Sequence, residues 1–102
     1  MNKLYIGGEW REASDGGTFE VLNPADESVI TTVSSGTTDD AVACINAADA
    51  AFDDWAALSP RERGEILRKA YELFIKQIDD IAQLITLENG KAGGDAIGEA
   101  RY

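Results

Sequence analysis

The spacing of apolar residues changes once along this chain. Up to residue 36 the hydrophobic positions fall in short runs rich in aromatic or β-branched side chains, broken by turn residues; from Thr37 onward they recur every three or four residues in alanine-rich sequence. The first pattern predicts strands and the second predicts helices. Residues 4–7 and 18–22 are the first strand candidates, joined through Ser14-Asp15-Gly16-Gly17, whose glycines supply the positive φ that a hairpin needs. Asn23-Pro24 ends the second strand, because proline has no N–H for the ladder, and Ala25-Asp26-Glu27-Ser28 turns the chain into a third strand, Val29 to Val33.

The first helix is expected to open at Thr37, with Asp40 reaching back as a short-armed capping box. Its stripe of Ala41, Cys44, Ile45, Ala48, Phe52 and Trp55 asks for a core, and Cys44 inside that stripe is expected to be buried. Ser59-Pro60 with Glu62 marks the second helix, since proline at the first helical position loses nothing by lacking an N–H. That helix carries Ile66, Leu67, Ala70, Leu73 and Phe74 on one face. A third helix opens at Asp79-Asp80, carries Ile81, Leu84, Ile85 and Leu87, and stops at Asn89-Gly90. Asp95 to Tyr102 reads as a fourth helix cut in mid-turn, with no stop signal. The fold class is therefore mixed α and β: a short N-terminal β-hairpin and a third strand over 1–36, then about four helices over 37–102, in a chain long enough for a single packing unit.

Charge narrows the partners. The net charge is −10, and the imbalance is local: residues 1–58 carry 11 acidic side chains against Lys3 and Arg11, whereas residues 59–102 carry 8 against 7 basic ones. So acidic a surface repels phosphate backbones and anionic lipid, so neither nucleic acid nor a membrane is an expected partner. The apolar runs are also far shorter than the ~20 residues that span a bilayer. No signal stretch follows Met1-Asn2-Lys3 and no lipidation signal is visible, so a cytoplasmic location is expected.

Candidate chemistry is sparse. One cysteine and no histidine exclude an intrachain disulfide, a Cys/His zinc site and any His-based catalytic triad. The arginines near the start of the second helix are read as solvated or salt-bridged side chains in preference to an anion site. Gly90-Lys91-Ala92-Gly93-Gly94 lacks the Gly-x-x-x-x-Gly-Lys-Ser/Thr spacing and does not follow a strand, so it is not read as a phosphate loop.

Taken in order, Tyr5-Ile6-Gly7-Gly8-Glu9-Trp10, Phe19-Glu20-Val21-Leu22-Asn23-Pro24-Ala25, Val33, Ala50-Ala51-Phe52 with Trp55, Ser59-Pro60-Arg61-Glu62-Arg63 and Leu84 to Lys91 form a specific set. Over almost its entire length the chain resembles the amino-terminal portion of the NAD(P)-dependent aldehyde dehydrogenase superfamily. The resemblance implies part of a three-layer α/β fold, with this segment lying against the nucleotide-binding domain as an early portion of the cofactor-binding domain. It implies a parent oxidoreductase that turns an aldehyde, a semialdehyde among the candidates, into a carboxylic acid with NAD or NADP. In the family a cysteine nucleophile, a glutamate base and the cofactor-binding loops lie downstream of this region. No catalytic or cofactor-binding residue is therefore assigned here, Cys44 matches no catalytic position, and the chain alone is expected to be inactive. The implied partners are the remainder of the parent polypeptide, a small aldehyde and further copies in a homo-oligomer.

The same resemblance implies a monovalent-cation site built from backbone oxygens at Val21 and Leu22 and the side chain of Glu88, one methylene longer than the Asp of many relatives. Helical faces shaped to meet a missing domain are expected to remain uncovered and to drive self-association of the isolated piece. The alternative is a free-standing acidic helical interaction module that uses those faces to bind a partner.

Overall fold

The computed structural model describes residues 2–102, with four strands and four helices: β1 Leu4–Ile6, β2 Glu9–Arg11, β3 Thr18–Leu22, β4 Val29–Ser34, α1 Thr38–Ala57, α2 Pro60–Lys76, α3 Ile78–Asn89 and α4 Gly93–Arg101. β1 pairs with β2 and β3 with β4, as two separate two-stranded sheets.

This pairing corrects the expected hairpin. Residues 4–7 do not pair with 18–22; β1 instead folds back at once on β2, antiparallel, with Leu4 opposite Arg11, Tyr5 opposite Trp10 and Ile6 opposite Glu9. The cause lies in Gly7 and Gly8, which both have positive φ (62° and 87°), the conformation that a two-residue hairpin turn requires at both central positions. Closing this short loop costs less chain entropy than reaching the later strand. The Tyr5 and Trp10 rings meet across the pair with centroids 5.0 Å apart. Gly16, with φ 71°, makes a turn of another kind: its N–H donates to the Ala13 carbonyl at 2.8 Å, and the Asp15 carboxylate accepts the Gly17 N–H at 2.7 Å.

The turn after β3 forms as the residues direct. The Asn23 side chain accepts the Ala25 N–H at 2.9 Å, the Glu27 N–H donates to the Asn23 carbonyl, and Asp26 accepts from both the N–H and the hydroxyl of Ser28. Those bonds to Ser28, the hydroxyl first, lower the Asp26 pKa. Glu27 takes φ 60°, an uncommon left-handed position for a residue with a side chain.

By contacts the chain falls into two compact units: one takes the chain up to Val21 with Thr31–Ser59, the other Leu22–Ile30 with Pro60–Tyr102. In the second unit α3 and α4 pack through alanines. Ala82, Ala96 and Ala100 are buried, Ala96 completely, and Ile78, Ile81, Ile85 and Ile97 close around them. Small side chains at this seam let the two helices approach closely. In the first unit Ala13 and Asp40 are buried.

Elsewhere the stripes stay open. Ile45 is 68% exposed, Phe52 63%, Leu67 62% and Leu73 58%, and no residue of α2 is buried. Cys44 is exposed as well, which overturns its expected burial. The α1 stripe has the predicted period, but β1, which lies beside the part that contains Cys44, leaves the thiol exposed.

Candidate functional site

Asp40 is the most constrained polar side chain in the first unit. Thr37 caps α1 in extended conformation (φ −88°, ψ 173°), and its hydroxyl accepts the Asp40 N–H at 3.2 Å while the Asp40 carboxylate accepts the Thr37 N–H at 3.0 Å. The reciprocal box predicted from the two residues is therefore present. The same carboxylate oxygen also accepts the Ser14 N–H at 3.0 Å, with the Ser14 hydroxyl at 3.3 Å, and Arg11 lies 3.5 Å from the other oxygen. Backbone donors at Thr37 and then Ser14 stabilise the ionised form and hold its pKa at about 2, against an ordinary 3.8. This network fastens the segment after β2 to the start of α1. A carboxylate held in its ionised form by these donors is a poor proton acceptor.

Cys44 borders a shallow cleft of about 260 Å³ with Leu4, Tyr5, Ile6, Thr37 and Asp40. The only carboxylate lining that cleft is Asp40, already occupied by its donors. The chain has no histidine to act as a base, and Cys44 lies inside α1, away from its N-terminus.

The proposed cation ligands sit at two ends of elements. Val21 and Leu22 are the last residues of β3, and Glu88 is exposed in the last turn of α3. Within the second unit the blocks that follow them meet. Gly90 ends α3 with φ 74° and ψ 13° and donates its N–H to the Thr86 carbonyl, so close to Pro24 that a Cβ on it would lie 3.2 Å from the proline Cγ. The Asn-Pro turn and the Leu-Glu-Asn-Gly-Lys block, separate in sequence, are thus neighbours. Among the described residues no group of three or more His, Cys, Asp or Glu side chains could hold a metal ion. The cation site implied by the resemblance calls for no such group, since it joins main-chain oxygens of Val21 and Leu22 to the single carboxylate of Glu88.

Ion pairs occur within α2 and at the start of α4. Arg68 bridges Glu65, at 3.1 Å, and Glu72, and Lys91 pairs with Glu99 across the start of α4. Lys91 of the Gly90–Gly94 segment is thus engaged with a residue of α4.

The sequence reading missed Ser14 and Arg11 as partners of Asp40. Ser14 lies 26 residues from Asp40 and no local spacing signals such a pairing, although a serine before Asp-Gly-Gly is a common turn residue.

Comparison with known proteins places the chain in context. The model of the aldehyde dehydrogenase family matches residues 10–102. Glutarate-semialdehyde dehydrogenase of Pseudomonas putida is 45% identical over 100 residues, covering 98% of this chain and 21% of that protein. The NADP(+)-dependent succinate-semialdehyde dehydrogenase GabD of Escherichia coli is 40% identical over 97 residues, covering 95% of this chain and 20% of that enzyme. The crystal structure of succinate-semialdehyde dehydrogenase from Burkholderia pseudomallei superposes with a TM-score of 0.96 at 38% identity, over 100% of this chain and 21% of that one. The chain spans about one fifth of the length of these relatives.

Proposed function

The chain belongs to the aldehyde dehydrogenase family, and on that premise we propose that it is the amino-terminal segment of an enzyme that oxidises an aldehyde to a carboxylic acid with NAD or NADP as hydride acceptor. In that reaction the aldehyde hydrogen leaves as hydride and water supplies the second oxygen of the acid. The observation that carries the reading is the agreement of a family match over residues 10–102 with a fold that superposes along the whole chain. Glutarate- and succinate-semialdehyde dehydrogenases among the relatives favour a semialdehyde, an aldehyde that bears a carboxylate at its far end. The comparisons support this reading and lend nothing to a free-standing acidic interaction module.

In this reading the 102 residues are scaffold, an early part of the cofactor-binding domain. They supply no histidine, a single thiol with no base positioned beside it, and an Asp40 already committed to its cap. A monovalent cation at the main-chain oxygens of Val21 and Leu22 and the carboxylate of Glu88 is the further element of the proposal. The donor chemistry fits, because hard cations take oxygen ligands and need no dedicated side-chain cluster. The close approach of Gly90 to Pro24 supports it by joining the chain segments that follow Leu22 and Glu88.

The test is nicotinamide reduction by the longer protein with glutarate, succinate and malonate semialdehydes and with an uncharged aliphatic aldehyde of similar length. Expected is turnover that favours a semialdehyde, and none from the 102-residue chain alone; no reduction of either nucleotide with any aldehyde would defeat the proposal. Repeating the assay with choline in place of sodium and potassium separates the cation from the rest. An unchanged rate and unchanged thermal stability would remove the cation site and leave the dehydrogenase reading standing.

A further inference from the structure

We draw no further inference here: the strongest candidate, the open apolar face of α2 formed by Ile66, Leu67, Leu73 and Phe74, carries none because nothing in the structure shows what covers it.

Discussion

Asp40 shows how much one side chain can fix when several donors converge on it. Its carboxylate is buried and satisfied by donors from Thr37 and Ser14, with Arg11 beside it, and its pKa is lowered to about 2. A carboxyl group with a depressed folded-state pKa stabilises the fold above its unfolded value and loses that contribution as pH falls through the folded value. Asp40 should therefore support the fold fully above about pH 4 and fail progressively toward pH 2. Thermal unfolding of the wild type and Asp40→Asn across that window checks this: the wild type should be the more stable at pH 6, with the gap narrowing toward pH 2. A gap of constant size would mean that the ionised carboxylate is not what matters. Gly90 makes the parallel case for the backbone. Gly16 and Gly90 both hold positive φ, but only at Gly90 would a Cβ press on another residue, Pro24. Gly16→Ala should cost roughly 1–2 kcal/mol for the left-handed conformation alone, and Gly90→Ala should cost measurably more. Equal losses in chemical denaturation would show that the Pro24 contact yields freely.

At the scale of elements, legibility followed the locality of the signal. The box at Thr37 and Asp40, the start of α2 at Pro60 and the stop of α3 at Gly90 are each written within a few residues, and each appears where predicted. β2 escaped notice because Glu9-Trp10-Arg11 is exposed at every position, so it has no apolar alternation to reveal it. The Gly7-Gly8 signal was present, but Asp15-Gly16-Gly17, with a side chain able to close its own turn, competed with it as the hairpin corner. The α3–α4 seam was harder still to read, since its buried residues are alanines, which are also the commonest filler of exposed helix in this chain. Ala96 lies at its centre, with no exposed surface. Ala96→Leu should overpack the seam and cost about 1–3 kcal/mol, whereas Ala50→Leu, on an exposed position of α1, should change stability by no more than about 0.5 kcal/mol. Denaturation midpoints that fail to separate the two would show that the seam is loosely packed.

For the whole molecule, the buried hydrophobic core among the described residues consists of alanines alone, while Ile45, Phe52, Leu67, Tyr71 and Leu73 each keep more than half of their surface in solvent. Such faces have the correct helical period yet stay largely open, and the candidate site is divided in the same manner. Glu88 and its α3 end were legible from a five-residue block. On the proposed reading that block serves the remainder of a longer protein, since the relatives the chain matches are about five times as long. On the proposed function this chain is the front of a dehydrogenase whose reacting groups follow it. The measurement that tests it most directly is to read the native gene past the codon for Tyr102. An uninterrupted frame that encodes a nucleotide-binding segment, a glutamate base and a cysteine nucleophile is the predicted result; a stop codon immediately after Tyr102 would contradict it.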